Sequence, residues 1–413
     1  MVSLLRGTIT HAPSPVAPRR PPWSAVWALS VTQIISWGSL FYAISVLIAP
    51  IEREFGWSRD AIVGAFSLSM ACSGLAAFPV GALIDRYGGR QVMGAGSLLA
   101  ALMLALLSQT ASLPAFYAIW VGLGIAMGAV LYEPAFTVIT ASFGTEARKG
   151  ITALTLAGGF ASTVFWPLTQ ELITSLGWRH ALLVLALLNL IVCAPLHLWC
   201  LPRVGAPTAA DNSAPAANGA RMPAMRQIVM SRQFLLLAAA FTANMLAFSA
   251  LSIHLIPLLN ERGFAMADAV WLAAIVGPMQ VAGRIAEYTV GARFRATRIA
   301  LLAFIVLPIA LIVLRDAGLQ WGYVLAFLAL YGASNGVMTI ARGVIPAELF
   351  GRQRYGAVNG ALAAPVLVSR AFGPLVAAVI WSATGGYDAV ILTLTVIGLL
   401  SAVSFVLALK VKV

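Results

Sequence analysis

Charged side chains are scarce in this sequence: they make up 10% of its 413 residues, whereas 61% are hydrophobic. The mean hydropathy is +0.92. Soluble globular chains are about 25% charged and about 45–50% apolar, so this composition excludes a soluble fold. The apolar residues form long blocks rather than the alternating pattern of a membrane β-barrel. The blocks therefore predict membrane-spanning helices.

Cysteine, histidine and acidic residues are also few, with 3 Cys, 4 His and 14 Asp plus Glu. All three cysteines lie in or beside apolar runs and lack the spacing of metal ligands: Cys72, Cys193 and Cys200. We therefore interpret them as small residues of the apolar core rather than as a disulfide or a metal site. The sequence shows no nucleophile triad, metal-ligand cluster or phosphate-binding loop. We therefore expect that the protein is not an enzyme and that it binds neither a metal ion nor a cofactor.

Basic residues exceed acidic ones and give a formal net charge of +12. In a soluble protein this excess would suggest nucleic acid as a partner. Here the arginines and lysines concentrate in alternate loops, and the positive-inside rule places those loops and both termini in the cytoplasm. The expectation is an integral, multi-pass protein of a bacterial inner (plasma) membrane. We expect it to work as a monomer in the lipid bilayer, without nucleic acid.

Twelve apolar runs predict an all-α membrane protein with twelve transmembrane helices. Residues 1–22 are rich in proline and arginine and predict a disordered cytoplasmic tail. Residues 201–231 change to Ala, Pro, Asn and Arg without apolar periodicity, which predicts a cytoplasmic linker. The linker would separate an N-terminal six-helix bundle, 23–200, from a C-terminal six-helix bundle, 232–413.

A long internal repeat supports this division. The pairs Phe143-Gly144 and Gly177-Trp178 recur as Phe350-Gly351 and Gly386-Tyr387, at offsets of about 206–209 residues with the intervening basic residues. Parallel repeats of this kind relate two halves by an axis along the membrane normal. The two bundles are therefore predicted to be pseudo-symmetric copies with a cavity between them.

The segment Gly81–Arg90 is a charged turn between two apolar runs and contains Asp85, Arg86 and Arg90. Each charge at the bilayer centre would cost about 2.5–3.5 kcal/mol, so the turn must lie at the membrane surface. Its pattern, Gly-x-Leu-x-Asp-Arg-x-Gly-Gly-Arg, resembles the loop signature of the major facilitator superfamily of secondary transporters. The resemblance implies a gating role for the three charged residues on the cytoplasmic side. Anchoring by positive charge is the alternative for the two arginines.

Arg284 and Arg370 lie inside the predicted eighth and eleventh helices. Ionisable groups at such positions face a watery cavity or a partner. Arginine stays protonated, and its planar fork matches a carboxylate with two parallel hydrogen bonds. Two fixed cations with few acids nearby predict an anionic ligand. The alternatives are an ion pair between Arg284 and Glu287, and snorkelling of Arg370 to the membrane surface.

A narrower resemblance rests on these arginines, on Ser36-Trp37-Gly38 in the first helix and on Ala157-Gly158-Gly159 in the fifth. Together they are similar to the monocarboxylate and oxalate–formate branch of the superfamily, which implies that Arg284 holds the substrate carboxylate. Two positions depart from that branch. Gln280 stands where the animal monocarboxylate carriers have an aspartate, and Arg370 stands where the oxalate carrier has a lysine.

Glu133, which precedes Pro134 in the fourth helix, is the candidate for proton coupling, because burial disfavours the charged form of a carboxyl and so suits it to carry a proton. An ion pair with Arg342 is the alternative. His254 is a second candidate, for proton relay or ligand binding, although a helix histidine is more often only hydrogen-bonded. The remaining substrate-binding candidates are aromatic or polar side chains, some of which should instead join helices: Trp37, Tyr132, Tyr331 and Asn359, with Asn244 and Asn335 as further polar groups.

These observations predict a secondary active transporter that moves a small, monocarboxylate-like organic anion by alternating access. A proton or a counter-anion would neutralise the empty site before it reorients. A proton-driven efflux carrier for drugs or metabolites is the first alternative, and Glu133 would dominate its coupling. A non-transporting membrane receptor is the second alternative, which the short loops disfavour.

Overall fold

The computed structural model describes residues 23–143, 147–202, 225–289, 293–350 and 355–411. The predicted tail, 1–22, and most of the predicted linker lie outside the described residues. Within the described part, 12 helices are long and apolar enough to cross a membrane. We number them α1 (Trp23–Phe55), α2 (Arg59–Tyr87), α3 (Gly89–Ser108), α4 (Leu113–Phe143), α5 (Lys149–Leu176), α6 (Trp178–Cys200), α7 (Arg232–Glu261), α8 (Met266–Glu287), α9 (Ala296–Asp316), α10 (Trp321–Phe350), α11 (Tyr355–Thr384) and α12 (Tyr387–Lys410).

The charged turn of the sequence is mostly helix. α2 continues through Arg86 to Tyr87, and α3 begins at Gly89, so Gly88 alone forms the turn. Gly88 has φ = 84°, a backbone conformation that side chains other than glycine rarely adopt. The predicted linker also contains helix, since Met225–Val229 forms a short helix before α7. Ser231 then starts α7, because its hydroxyl accepts a hydrogen bond of 3.2 Å from the Phe234 amide.

The fold is a twelve-helix membrane bundle with α1–α6 in one half and α7–α12 in the other. Three helix pairs join the halves: α1 packs on α7, α2 on α11, and α5 on α8. Each half has its own apolar core. Because the chain alternates direction, Gly88, Pro202 and Met225 lie at one end of the bundle, which we call the linker end.

The opposite end is closed by five side chains that we call the clamp: Glu52, Arg59, Glu261, Trp381 and Tyr387. Arg59 of the first half pairs with Glu52 at 2.9 Å and donates to the Tyr387 hydroxyl at 3.3 Å. Its guanidinium carbon lies 3.9 Å from the Trp381 ring centroid, a cation–π geometry. Glu261 accepts from the Trp381 indole N–H at 2.5 Å and from the Tyr387 amide at 2.9 Å. One arginine therefore holds the two halves together at this end.

The clamp predicts that Arg59→Ala will open the end of the bundle opposite the linker. Loss of a cation–π contact and a hydrogen bond, about 0.5–2 kcal/mol each, should raise the open population about tenfold. Spin labels at Ser112→Cys and Leu319→Cys, exposed on the two halves at this end, should then give a longer distance component. The three native cysteines would be replaced by serine in this background.

The control is Arg53→Ala, since Arg53 lies at the same end and donates only to the Ala49 carbonyl of its own helix. The clamp interpretation fails if the two arginine variants give the same distance distribution.

Candidate functional site

A cavity of about 620 Å³ lies between the two halves. Helices α1, α4 and α5 line it from one side and α7, α8, α10 and α11 from the other. Its wall extends along α10 to Gly343 and Val344, which are exposed near the linker end. Within the described residues, the cavity is therefore open toward the linker end, and the clamp closes the opposite end.

A π-helical segment in α1 forms part of the cavity wall. Residues Trp37–Tyr42 adopt this wider turn, a feature often found at functional sites. Gly38 lies in this segment against Phe165 of α5, where any side chain would overlap the ring. The segment places the Trp37 indole in the wall, where its N–H donates to the Gln33 side-chain oxygen at 3.1 Å.

Arg370 of α11 lies against this aromatic wall. Its guanidinium carbon is 4.7 Å from the Trp37 ring centroid and 5.4 Å from that of Phe41. The flat guanidinium is thus held by cation–π contacts rather than by an acid. The deep position excludes snorkelling to the membrane surface, because Arg370 lines the central cavity.

Arg284 of α8 is buried at the junction of the two halves, with 6% of its surface exposed. One terminal nitrogen donates to the Thr155 carbonyl of α5 in the other half. Gly159 allows this approach, since a Cβ there would lie 3.3 Å from the same nitrogen, and Gly158 leaves room for the Tyr132 hydroxyl, which would lie 2.3 Å from a Cβ at that position. The Nε atom of Arg284 is buried and has no hydrogen-bond acceptor among the described residues.

The cavity has more positive than negative charge. Arg284, Arg342 and Arg370 line it, against the single acid Glu133 within the described lining. Neither predicted ion pair is present: Arg284 does not pair with Glu287, and Glu133 does not pair with Arg342, within the 4.0 Å limit that defines a salt bridge. Glu133 is exposed, so the prediction that its carboxyl is buried is wrong, and it acts electrostatically on Arg370 at longer range. The arrangement suits an anion, because cations without acid partners remain inside the membrane.

The comparisons with known proteins agree with this architecture. The family model described as Major Facilitator Superfamily matches residues 29–325. The chain belongs to the Major Facilitator Superfamily. It is 27% identical to monocarboxylate transporter 13 of Rattus norvegicus over 84% of this chain and 82% of that protein. It is 31% identical to monocarboxylate transporter 11 of Homo sapiens over 50% of this chain and 44% of that one.

Two solved structures share the fold. The nucleoside transporter NupG superposes with a TM-score of 0.74 at 14% identity, over 93% of this chain and 98% of that chain. A bacterial homolog of the human lysosomal transporter Spinster, in an inward-facing and occupied conformation, has a TM-score of 0.67 at 17% identity. That match covers 96% of this chain and 98% of the other. The protein is thus a multi-pass membrane transporter and not an enzyme.

Seven of the site residues predicted from the sequence line the cavity of this superfamily member. They are Trp37, Tyr132, Glu133, Asn244, Arg284, Asn335 and Arg370. Tyr132 links two of them, since its ring centroid is 5.1 Å from that of Trp37 and its hydroxyl interacts with Arg284. The side chain of Asn359 lies outside the described residues.

Two predicted substrate-binding residues lie away from the cavity and require correction. His254 is buried, its Nε2–H donates to the Pro374 carbonyl at 2.9 Å, and its Nδ1 lies 2.8 Å from the Tyr387 hydroxyl. Both ring nitrogens are therefore used within the protein, behind the clamp. Tyr331 is also a core residue: its hydroxyl donates to the Phe248 carbonyl at 3.1 Å and its ring stacks on Phe327.

The gating candidates lie at the linker end, where the halves are apart. Arg86 is exposed and lies over the Tyr87 ring at 5.1 Å. Arg90 donates to the Leu198 carbonyl of α6, within its own half. The side chain of Asp85 is outside the described residues. Because this conformation is open at the linker end, the gating role of the three residues stays a prediction.

Sequence reasoning missed most of the apolar cavity wall. Tyr42 and Gln280 also line the cavity. The sequence indicates no role for Tyr42, and it marks Gln280 only as a difference from the animal monocarboxylate carriers. The spacing of Gln280 and Arg284, one helical turn apart, was a usable signal for a shared face. Four phenylalanines of the cavity wall could not be recognised from the sequence, because every face of these helices is apolar. They are Phe41, Phe136, Phe241 and Phe248.

Close packing of α5 on α8 predicts a sensitive position at Gly277. A Cβ there would lie 2.1 Å from the Thr163 hydroxyl and 2.8 Å from the Gly159 carbonyl. Gly277→Val should therefore force α8 away from α5, cost about 1–3 kcal/mol and lower transport sharply. The measurements are the unfolding temperature of the detergent-solubilised protein and its transport rate in proteoliposomes.

Gly322→Val is the matched control, since a Cβ on Gly322 meets no atom within 4 Å. Equal behaviour of the two valine variants would contradict the proposed close contact between α5 and α8.

Proposed function

We propose that this protein is a secondary active transporter for a small organic anion of the monocarboxylate type, working by alternating access. The observation that carries the proposal is the charge of the central cavity: Arg284, Arg342 and Arg370 line it, with Glu133 as the one acid in its described lining. The linker end would face the cytoplasm, because basic residues concentrate in the loops at that end.

The hydrogen-bonding state of Arg284 favours a carboxylate ligand. One terminal nitrogen donates to the Thr155 carbonyl and the Tyr132 hydroxyl hydrogen-bonds to the guanidinium, whereas Nε is buried without an acceptor among the described residues. An edge of the guanidinium that turned toward the cavity would match the two oxygens of a carboxylate. Leaving such a buried donor unsatisfied costs about 1–3 kcal/mol, and an anion would recover this cost.

A second unpartnered donor lies in the same cavity. The Asn244 side-chain nitrogen is buried and has no acceptor among the described residues, and Asn244 lines the cavity wall. Two donors without acceptors favour a ligand that only accepts hydrogen bonds, as an ionised carboxylate does. The relatives named as monocarboxylate transporters support the same chemical class.

The closed clamp and the open linker end support alternating access. In this state the substrate can exchange with the linker side alone, since the clamp closes the opposite side. Opening the opposite side requires Arg59 to leave Trp381 and Tyr387. The two halves would then rotate about the central cavity, which stays at the interface of the repeats.

We assign proton coupling to Glu133. Its carboxylate shares the cavity with Arg370 and acts on it electrostatically. An ionised Glu133 opposes a bound anion, whereas a neutral one leaves the positive charge of Arg370 available. Protonation and anion binding therefore favour each other, and linkage requires the effect to be reciprocal. Proton symport follows, with anion exchange as the alternative coupling.

Arg284→Lys and Arg284→Ala test the anion site. Lysine keeps the charge but loses the bidentate edge, so uptake should fall at least tenfold, and alanine should abolish it. Uptake of a radiolabelled monocarboxylate into proteoliposomes measures both, with circular dichroism to verify folding. Arg315→Ala, an exposed arginine of the same half, is the control. Full-rate uptake by Arg284→Ala would refute the site.

Glu133→Gln tests the coupling. A permanently neutral side chain should keep anion binding and counterflow but remove the response to an imposed pH gradient. The measurement compares uptake with and without an inward proton gradient, in wild type and variant. If the variant still accumulates the anion in response to the gradient, Glu133 is not the proton site.

A further inference from the structure

We propose that the transported anion is an aryl monocarboxylate, with an aromatic ring beside its carboxylate. This inference rests on the proposed anion site, and it adds the chemical class of the part of the substrate that lies beyond the carboxylate. The observation behind it is an aromatic stack in the cavity wall that is only partly covered and that contacts Arg284 through the Tyr132 hydroxyl.

The stack consists of Tyr132 and Phe136 of α4. Their ring centroids are 5.3 Å apart with an interplanar angle of 11°, and both rings are half-buried and line the cavity. Across the cavity, α7 contributes Phe241 and Phe248, whose rings are almost fully buried. These aromatic side chains belong to one cavity lining, and we call the part of the cavity beside Tyr132 and Phe136 the slot.

The slot adjoins the charged site, because the Tyr132 hydroxyl hydrogen-bonds to the Arg284 side chain. A ligand whose carboxylate binds Arg284 therefore has Tyr132, and Phe136 stacked on it, within reach. A two- or three-carbon acid would leave that stack facing water, whereas a ring would cover it with the offset geometry that aromatic groups prefer.

The Trp37 ring is not part of this slot. Arg370 already covers its face at 4.7 Å, so Trp37 positions the second cation rather than the substrate ring. The cavity volume of about 620 Å³ falls within the range of about 300–1,000 Å³ typical of sites for ligands with a substantial apolar body.

The test compares three ligands on the wild-type protein: 3-phenylpropionate, propionate and 3-phenylpropionamide. Stabilisation in a thermal-shift titration reports binding, since a ligand of the folded state raises its unfolding temperature. We expect 3-phenylpropionate to bind at least tenfold more tightly than either of the other two. Wild-type protein suffices, so no folding defect can obscure this result.

The outcomes separate this inference from the anion proposal. Equal affinity for 3-phenylpropionate and propionate overturns the aryl slot and leaves the anion site standing. Equal affinity for 3-phenylpropionate and its amide overturns the anion site itself, and would favour a carrier for neutral amphipathic compounds. No response to 3-phenylpropionate overturns the aryl proposal outright.

Phe136→Leu locates the slot. Leucine keeps an apolar side chain but removes the ring, so affinity for 3-phenylpropionate should fall about fivefold while propionate binding stays unchanged. Phe372→Leu is the matched control, because Phe372 is exposed on α11 and does not line the cavity. A variant at Phe136 that binds both acids as wild type does would contradict the assignment.

Discussion

A permanent positive charge inside a membrane-spanning helix is the constraint on which the rest of this structure depends. Arginine side chains keep their charge in proteins, and at the bilayer centre such a charge would cost about 2.5–3.5 kcal/mol. The protein places Arg284 at a cavity between two bundles, where α5 is interrupted at Gly159 and Phe160 and offers the Thr155 carbonyl. The close approach of α5 to α8 and the anion site that we propose both depend on this one residue.

The two ends of the bundle are built from different interactions. At the clamp, ionic and aromatic groups of opposite halves satisfy one another, because Arg59 has Glu52, Trp381 and Tyr387 around it. At the cavity the cations lack acid partners among the described residues. Arginine with partners in the protein links the two halves, whereas arginine without an acid partner can bind a ligand that enters. The same residue type therefore closes one end and, in our proposal, binds the substrate in the middle.

The sequence predicted the features that depend on rare residues. Apolar runs predicted the twelve helices, and the scarcity of charge made Arg284, Arg370 and Glu133 conspicuous before their common cavity was known. It failed for His254 and Tyr331, because a polar group in an apolar helix can be satisfied by a backbone carbonyl that sequence does not reveal. The aromatic walls were hidden for another reason. Lipid, core and cavity faces of these helices are all apolar, so periodicity cannot separate them.

The π-helical segment Trp37–Tyr42 has a consequence for how α1 could move. Such a segment accommodates one residue more than the same length of regular α-helix. Converting it to regular α-helix would turn Ile44–Phe55 by about 100° and shift it by about 1.5 Å along the axis. Ser45 and Val46, which now contact α7, would then be replaced at that surface by their neighbours. α1 thus contains a built-in register step, through which one half could slide on the other without either bundle unpacking.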